Sequence, residues 1–490
     1  MRPVPAAPDF AAIRVEFDLP GEFPPAVLAE AARAASRPPG PGRLDATDLA
    51  LVTIDPPGSK DLDQAVGVLR VDGADGSRGF RVHYAIADLG AVVEPGGALD
   101  DEVRRRGQTM YLPDGSVPLH PPVLSEDAAS LLPDGPRAAV LWTVGLDAAG
   151  EVTDVDVRRA LVRSAARLDY AGVQADVDAG RVHPAIAALP EVGRLRRGLA
   201  VARGAIELEL PEQEVVPDGA GGWTVQVRRR LDVEGWNAEI SLLTGMAAGA
   251  MMLEAGVGLL RTLPAPEPDA LEAFARTADR LGFRTDPDVH AVARLLAGLP
   301  DTGPALALRR AATMLLRGAG YTAFDRAPGS DRAPGSDRAS GVEPPADPGH
   351  GGIGAPYAHV TAPLRRLVDR FGTEVCLAVA AGEELPDELR AALPTLPEVM
   401  AASDATASKV DRACVDRTEA ALLAGRIGER FEVVVLRSAE SEDGAGEVYL
   451  ADPPVLARCE GSPEAGAVAT VRLVESDPAT GRIGFAATTP

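Results

Sequence analysis

The residues with the clearest chemical pattern in this chain are three aspartates in the stretch TIDPPGSKDLDQA. Asp55 ends a hydrophobic, strand-like run, Pro-Pro-Gly-Ser then turns the chain, and Asp61 and Asp63 follow two residues apart. Because residues two apart in an extended segment face the same way, we expect these two carboxylates to share one small volume, with Asp55 close by. Carboxylates held this close raise one another's pKa unless a cation compensates their charge.

Hard oxygen ligands of this kind suit Mg²⁺ or Mn²⁺ and leave coordination positions for a substrate phosphate and for water. Metal-assisted hydrolysis of a phosphodiester needs such an arrangement. On the residues alone, a solvated acidic loop is the commoner explanation of an isolated Asp-x-Asp pair. Structural Ca²⁺ binding by an adaptor protein is a further alternative.

The elements around these aspartates change in type along the chain. From Leu49 to Asp156 the pattern is strand-like, with runs such as LALVTID, RVHYAIAD and AAVLWTVGLD separated by turn residues, and one helix, Ala98 to Arg106, interrupts it. The spacing is helical over 158–316, except for a possible hairpin at 206–227, and again over 361–426. The last segment, 428–490, returns to short strands at a spacing that suits a small barrel. The sequence therefore predicts an α+β protein, with a large domain whose β-sheet core is surrounded by helices and a small all-β domain after it.

The composition is that of a globular protein, because 46% of the residues are hydrophobic and 25% are charged. The formal net charge of −23 counts against indiscriminate nucleic-acid binding and leaves only a local basic groove for that purpose. The three cysteines are too far apart for a disulfide framework or a metal knuckle, which fits a reducing compartment. Neither a secretory signal nor a membrane-spanning run is recognisable, so we expect a cytoplasmic protein without membrane contact.

The stretch from Asp55 to Asp63 resembles the acidic signature of the ribonuclease II (RNB) family, the catalytic domain shared by ribonuclease II, ribonuclease R and the eukaryotic exosome nuclease. The resemblance includes FPPAVLAEA before the signature, a long block over 84–133 that begins YAIADLGAVVEPGG, and the late arginine motif YAHVTAPLRRLVDRFG over 357–372. It covers most of residues 20–425 in the family's order. The segment 428–490 resembles the OB-fold RNA-binding barrel that closes ribonuclease II and ribonuclease R.

This resemblance implies roles for several residues. Asp55, Asp61 and Asp63 match acidic metal ligands, and Asp63 matches the carboxylate on which hydrolysis depends most. The family places a fourth acid immediately afterwards, where this chain has Gln64. This difference puts the number of bound metal ions and their affinity in doubt. Arg365 matches the arginine that contacts the scissile phosphate, a role that suits the planar fork of a guanidinium.

Further matches imply substrate contacts. Tyr111 matches the aromatic residue that stacks on the 3′-terminal base. Tyr170 and Glu239 are similar to a tyrosine and a glutamate that contact the 3′-terminal sugar, although a structural role is equally consistent with these two positions. A carboxylate at that place would accept a bond from the 2′-hydroxyl and so distinguish RNA from DNA. Arg366, next to Arg365, is expected to contact the substrate as well.

The expected organisation has three parts. Residues 1–45 form an N-terminal extension with a lead-in helix, 46–425 form the RNB catalytic domain, and 428–490 form the OB-fold RNA-binding domain. Within the catalytic domain, 325–350 contains the repeat DRAPGS-DRAPGS-DRAS, which has too few apolar groups to pack. We expect this insertion to be disordered.

Taken together, the resemblance implies a hydrolytic, Mg²⁺-dependent 3′→5′ exoribonuclease, with Mn²⁺ as the alternative ion. Such an enzyme degrades single-stranded RNA processively to nucleoside 5′-monophosphates, and we expect it to act as a monomer without a protein partner. The rival hypothesis is a catalytically weakened or inactive RNA-binding member of the same family. Gln64 is the feature that motivates this rival.

Overall fold

The structure, a computed structural model, describes residues 8–488 except 73–77, 209, 211, 229, 327–341, 440–443 and 462–463. The repeat for which disorder was predicted falls on 327–341 and so lies outside the described residues. The residues that follow it are described. Val342 pairs with Asp325, and Gly349–His350 forms a short strand, so this part of the predicted insertion has regular backbone pairing.

The helices precede, interrupt and follow the first barrel described below. They are α1 (Phe10–Glu16), α2 (Pro25–Ala35), α3 (Ala98–Arg106), α4 (Tyr170–Asp178), α5 (Leu189–Ala202), α6 (Asp232–Ala255), α7 (Pro268–Arg280), α8 (Val289–Ala297), α9 (Gly303–Ala312), α10 (Leu367–Ala381), α11 (Asp387–Ala392) and α12 (Leu396–Leu423). Proline opens α2, because its fixed φ and missing N–H suit the first turn of a helix. Within the described residues, no helix is both long enough and apolar enough to cross a membrane.

The strands form two barrels and several two-stranded pairs. They are β1 (Leu44–Asp55), β2 (Gln64–Asp72), β3 (Arg78–Ala87), β4 (Met110–Leu112), β5 (Gly115–Val117), β6 (Arg137–Asp147), β7 (Val152–Asp169), β8 (Glu212–Pro217), β9 (Trp223–Arg228), β10 (Val257–Thr262), β11 (Gly320–Asp325), β12 (Gly349–His350), β13 (Ala355–Pro356), β14 (Arg430–Arg437), β15 (Ala445–Ala451), β16 (Pro454–Glu460), β17 (Val468–Asp477) and β18 (Arg482–Ala487). The runs LALVTID, RVHYAIAD and AAVLWTVGLD fall on β1, β3 and β6.

The first barrel is closed by β1, β2, β3, β6 and β7 in that order. Its neighbouring strands are antiparallel, except that β1 runs parallel to β7. The parallel pairing places the ends of these two strands side by side, with Asp55 opposite Asp169. Because β2 is antiparallel to β1, its first residue, Gln64, lies at the same end of the barrel.

The two faces of this barrel carry side chains of different size. One face carries a cluster of mostly small or aliphatic side chains, among them Ala65, Ala85 and Ala139, which suits the narrow interior of a five-stranded barrel. The other face carries larger side chains such as Tyr84 and Trp142, which belong to the main core together with residues of α2, α3, α6 and α10. The helices therefore surround a β core, and the α+β prediction is confirmed.

The second barrel is closed by β14, β15, β16, β18 and β17 and has a core of its own. Helix α12 connects it to the rest of the molecule. Glu419 of α12 accepts hydrogen bonds from the side chain of Gln213 in β8 and from the backbone N–H of Leu456 in β16. Ser476 of β17 donates a 2.7 Å bond to the carbonyl of Ala420. One helix thus contacts both the β8–β9 hairpin and the small barrel.

Candidate active site

The candidate site lies at the end of the first barrel where β1 and β7 finish and β2 begins. Asp55 is the last residue of β1, and residues 56–63 cross to the start of β2. The segment 361–366, which carries the sequence TAPLRR, lies across this opening just before α10 begins. Two parts of the chain that are separated by about 300 residues therefore meet at one end of the barrel.

Asp63 is the most deeply buried of the three aspartates, with a residue exposure of 5%. Its Oδ1 accepts a 2.7 Å hydrogen bond from the backbone N–H of Leu364, and its Oδ2 lies 3.6 Å from Nε of Arg365. Burial raises the pKa of Asp63 to about 8, and it outweighs the opposing effects of Arg365 and of the Leu364 bond. A charged Asp63 is therefore unfavourable in the absence of a further cation.

Asp55 and Asp61 complete the acidic group. Burial and then the nearby charge of Asp61 raise the pKa of Asp55 to about 6, while Arg365 and Arg167 oppose this increase. Asp61 is partly exposed and accepts a 3.2 Å hydrogen bond from the hydroxyl of Tyr111. Since each of these aspartates interacts electrostatically with another, the structure brings all three into one region together with Arg365.

The chemistry of this donor set fits a hard divalent ion, because three carboxylates that disfavour one another's charge gain from a shared cation. The present arrangement is not a closed ligand shell. Among the described residues, no three His, Cys, Asp or Glu side chains converge as closely as the ligands of a bound metal do. Asp55, Asp61 and Asp63 are the residues that could hold such an ion, because their carboxylates share one region of the site.

Arg365 is held in place by its backbone while its side chain remains 47% exposed. The carbonyl of Arg365 accepts a 2.9 Å bond from Thr109, and its N–H donates to Ala362 over 3.2 Å. The carbonyl of the preceding Leu364 lies 3.1 Å from Nδ1 of the buried His120. A guanidinium on a fixed backbone beside a carboxylate, and still open to solvent, is suited to binding a phosphate.

Arg366 is placed differently from its neighbour. Its guanidinium makes two 2.8 Å hydrogen bonds to Asp369, whose side chain is fully buried and also accepts a bond from the backbone N–H of Ala362. Burial disfavours the charge of Arg366, but the Asp369 carboxylate outweighs it and raises the guanidinium pKa. In this structure Arg366 fixes the shape of the segment 361–366, and the predicted contact with substrate stays a prediction.

Two tyrosines lie at the edge of the acidic group. Tyr111, in the β4–β5 hairpin, is 53% exposed and bonded to Asp61. Tyr170, the first residue of α4, accepts a 3.5 Å hydrogen bond from the side-chain amide of Asn237, and burial followed by the charge of Asp55 raises its pKa. Tyr111, predicted to stack on a base, and Tyr170, predicted to contact the sugar, therefore both lie near the aspartates.

Glu239 does not lie beside these two tyrosines, because it is on a different side of α6 from Asn237, which contacts Tyr170. It is 5% exposed, and its pKa is raised by burial against the opposing charges of Arg196 and Arg203, which belong to or follow α5. Its Oε2 makes no hydrogen bond within the described residues. Residues two apart on a helix point in very different directions, so Asn237 contacts Tyr170 while Glu239 faces the arginines.

Gln64, at the position where the family has an acid, uses both ends of its amide. Its Oε1 accepts a 2.7 Å hydrogen bond from the hydroxyl of Tyr84, and its Nε2 donates a 2.6 Å bond to the carbonyl of Thr361. Tyr84 can reach Gln64 because it pairs with Val66, two residues further along the same face of β2. The hydroxyl of Thr361 in turn lies 2.8 Å from that of Ser241 in α6.

Sequence reasoning missed four polar residues of this site, namely Tyr84, Asn237, Ser241 and Thr361. Asn237 and Ser241 are four residues apart, and this spacing on a largely apolar helix was the available signal. Tyr84 and Thr361 lie inside the family motifs over 84–133 and 357–372, but nothing in the spacing of neighbouring residues marked them as part of the site. Their contacts depend on strand register and on packing between distant segments.

Comparison with known proteins shows which family this fold and site belong to. The model for the RNB domain matches residues 43–372, which is more than half of the chain, and the chain therefore belongs to the RNB family. The model for the RNase II-type exonuclease C-terminal S1 domain matches residues 429–488. The resemblance read from the sequence is confirmed. The domain limits predicted near residues 45 and 425 stay predictions.

The chain is similar to several named proteins of this family. It is 29% identical to Ribonuclease R of Escherichia coli (strain K12) over 343 residues, which are 67% of this chain and 39% of that protein. It is 27% identical to the Exosome complex exonuclease RRP44 homolog A of Arabidopsis thaliana over 360 residues, which are 71% of this chain and 36% of that protein. The chain thus matches about two fifths of the length of these relatives.

Solved structures share the fold at lower sequence identity. The structure of Mycoplasma genitalium RNase R in complex with ribose methylated single-stranded RNA superposes with a TM-score of 0.84 at 20% identity, covering 98% of this chain and 77% of that one. The structure of yeast Ssd1, a pseudonuclease, superposes with a TM-score of 0.68 at 15% identity, covering 89% of this chain and 54% of that one. At these identities the similarities show the fold alone.

Proposed function

We propose that this chain is a divalent-metal-dependent 3′→5′ exoribonuclease. It would hydrolyse single-stranded RNA processively and release nucleoside 5′-monophosphates, acting as a cytoplasmic monomer. The observation that carries this proposal is the close approach of Arg365 to the buried Asp63, with Asp55 and Asp61 beside them, inside a domain of the RNB family. Carboxylates for a cation and a guanidinium for a phosphate are what phosphodiester hydrolysis requires.

The three aspartates would hold Mg²⁺, or Mn²⁺ in its place. Such an ion, when bound, supplies an activated water and neutralises charge on the phosphate. Asp63 is fixed by the Leu364 N–H, so one of its oxygens keeps a constant position relative to the segment that carries Arg365. The two groups that would act on the same phosphate are thereby held together by the fold.

Arg365 would neutralise charge on the phosphoryl oxygens as the bond breaks. Its half-exposed guanidinium can meet a phosphate without first losing a strong ion pair, because its 3.6 Å contact with Asp63 is longer than a direct hydrogen bond. A planar fork offers two parallel donors, which a lysine ammonium cannot do. This difference in geometry provides a test, which the Discussion describes.

The tyrosines would hold the 3′ end of the strand. Tyr111 is exposed enough to stack on a base, and stacking accepts every base because each has a π-face. Tyr170, at the start of α4, would contact the sugar of the terminal nucleotide. Glu239 and Arg366 remain proposed substrate contacts, although each faces charged groups of the protein in this structure.

A second candidate function is RNA binding without hydrolysis. The observation that favours it is Gln64, which supplies no charge to a metal ion and whose amide is occupied by Tyr84 and Thr361. The variant Gln64→Asp distinguishes the two candidates. Activity that appears only in this variant would favour the binding protein, whereas activity in the wild-type chain favours the exoribonuclease.

The direct test uses one single-stranded oligoribonucleotide labelled at either its 5′ or its 3′ end, incubated with the protein and Mg²⁺. The proposal predicts that the 3′ label is released at once as a mononucleotide, while the 5′-labelled strand shortens without accumulating mid-length products. A ladder of internal cuts from both labels, or no decay, would contradict it. EDTA should stop the reaction.

A further inference from the structure

The two consecutive residues Asp63 and Gln64 bind two backbone groups of the segment 361–366, which carries Arg365. Asp63 binds the backbone N–H of Leu364 at 2.7 Å, and Gln64 binds the backbone carbonyl of Thr361 at 2.6 Å. The hydroxyl pair of Ser241 and Thr361 adds a contact from α6. The start of β2 therefore sets where this segment lies.

The bond to Thr361 requires a donor at position 64. A backbone carbonyl can only accept hydrogen bonds, so the side chain that faces it at 2.6 Å must carry a donor, here the N–H of the amide. An ionised carboxylate at this position would place an oxygen against the Thr361 carbonyl, and an aspartate would also be shorter by one methylene. The amide is thus the group that this contact needs.

The other end of the amide is also occupied. Oε1 of Gln64 accepts the hydroxyl of Tyr84, which is 1% exposed and belongs to the main core. Turning Oε1 away to meet a metal ion would break this bond and leave Ser241 as the side-chain partner of the Tyr84 hydroxyl. Both halves of the side chain are therefore committed to holding protein groups together.

We propose that Gln64 is a positioning residue for Arg365. Its amide ties the segment 361–366 to β2, in place of supplying a metal ligand, and the site consequently works with the three carboxylates of Asp55, Asp61 and Asp63. This inference rests on the proposed function for the identity of the ion and of the RNA. It predicts that an acid at position 64 harms the site, although the family has an acid there.

The first experiment counts metal ions by electron paramagnetic resonance of bound Mn²⁺ in wild-type protein, Gln64→Glu and Gln64→Asp. The proposal predicts the same number of tightly bound ions in all three proteins, and a kcat for RNA hydrolysis that is about 10- to 100-fold lower in both variants, because a small displacement of a catalytic group costs this much. An additional bound ion together with higher activity in either variant would overturn it.

The second experiment separates positioning of Arg365 from a general structural role. The Kd for a single-stranded oligoribonucleotide is measured in EDTA for Gln64→Met, Arg365→Gln and the double variant. We expect Gln64→Met to raise the Kd about tenfold in the wild-type background and less than about twofold when Arg365 is already replaced. Equal effects in both backgrounds would show that Gln64 does not act through Arg365.

A matched control is Gln174→Met in α4. Gln174 also uses both ends of its amide, with Asp178 and with the backbone N–H of Val233, but neither partner belongs to the arginine segment. This variant should leave the Kd and the coupling with Arg365 unchanged. If the wild-type chain bound RNA without cleaving it, the exoribonuclease proposal would fail. The number of bound Mn²⁺ ions and the Kd values of the single and double variants would still decide the role of Gln64.

Discussion

At the scale of single residues, the burial of Asp63 determines whether its carboxyl group is charged. A carboxylate that is 5% exposed keeps its proton to a pH of about 8, even though Arg365 lies beside it. Asp55 shows the same tendency more weakly, with a pKa near 6. In the absence of a cation these two groups are therefore partly protonated near neutral pH, and a metal ion must compete with protons for them.

This competition predicts a pH dependence of metal binding. Because the pKa values are raised, lowering the pH from 8 to 6 protonates Asp63 and then Asp55, so Mn²⁺ should bind more weakly at each step and release protons when it binds. Titration of Mn²⁺ at pH 6, 7 and 8 measures the effect. In Asp63→Asn the change between pH 7 and 8 should be smaller. An affinity that is constant over this range would contradict the prediction.

Arg365 provides a second prediction at this scale. The variant Arg365→Lys keeps the positive charge but loses the planar fork, so we expect kcat to fall about 10- to 1,000-fold while the melting temperature stays within a few degrees of wild type. Arg163→Lys is the control, since Arg163 is an exposed residue of β7 that lies near Asp45 at the start of β1, whereas Asp55 is at the end of that strand. Similar kinetics in both variants would argue against a phosphate contact by Arg365.

At the scale of elements, α6 and the strand–turn segment beside it are packed closely enough to need glycine. A Cβ at Gly245 of α6 would lie 2.1 Å from Cε2 of Tyr357 and 2.8 Å from the carbonyl oxygen of Ala358. The backbone itself is in contact, because Ala358 donates a 3.0 Å bond to the carbonyl of Gly245. This helix therefore supports the chain just ahead of the arginine segment.

The close approach predicts opposite outcomes for two glycine variants. Gly245→Ala should lower stability by about 1–3 kcal/mol, since neither a backbone carbonyl nor a core tyrosine can move away easily. Gly198→Ala in α5 should raise stability by up to about 1 kcal/mol, because its Cβ would meet nothing within 4 Å and alanine favours a helix. Thermal unfolding of both variants measures the difference. Equal melting temperatures would contradict it.

Helix α12 gives an element-scale prediction about pH. Burial raises the pKa of Glu419 from 4.5 to about 8, against the opposing bonds from Gln213 and Leu456. The folded state thus holds this proton more tightly than the unfolded state, so the contribution of Glu419 to stability is fully present below pH 4.5 and is lost as the pH rises towards 8. The loss should reach a few kcal/mol at most.

The variant Glu419→Gln should remove this part of the pH dependence, because an amide has no proton to lose. Melting temperatures at pH 5.5 and 8 measure the effect in wild-type protein, in Glu419→Gln and in Glu398→Gln, which changes an exposed residue of the same helix. The control should behave as wild type does. A variant at position 419 that retained the full pH dependence would show that another group is responsible.

At the scale of the whole molecule, part of the order of elements could be predicted from the sequence, but the helical spacing expected from residue 158 was wrong up to Asp169, where β7 ends. Alternating apolar runs gave β1, β3 and β6, and the return to short strands after residue 428 gave the second barrel. These features are local, since each depends on the period of a few neighbouring residues. The α+β class followed from them, whereas the family resemblance rested on the acidic stretch and on the motifs over 84–133 and 357–372.

The interior of the site could not be predicted in the same way. The bond between Gln64 and Thr361 joins residues 297 positions apart, and no local pattern marks either partner. The sequence also did not indicate which face of α6 meets Tyr170. A helix with apolar residues on every side has no distinct polar face from which its orientation could be predicted. The sequence therefore did not indicate that Asn237, rather than Glu239, contacts Tyr170.

The central claim, that Asp63 and Arg365 form the hydrolytic centre for RNA, is tested most directly by Asp63→Asn. An amide of the same size can still accept the Leu364 N–H but cannot hold a divalent ion as a carboxylate does. RNA binding in EDTA and hydrolysis in Mg²⁺ are measured on the same preparation and the same 3′-labelled strand. We predict a Kd within about threefold of wild type and a hydrolysis rate at least about 100-fold lower. Hydrolysis by Asp63→Asn at the wild-type rate would contradict the account.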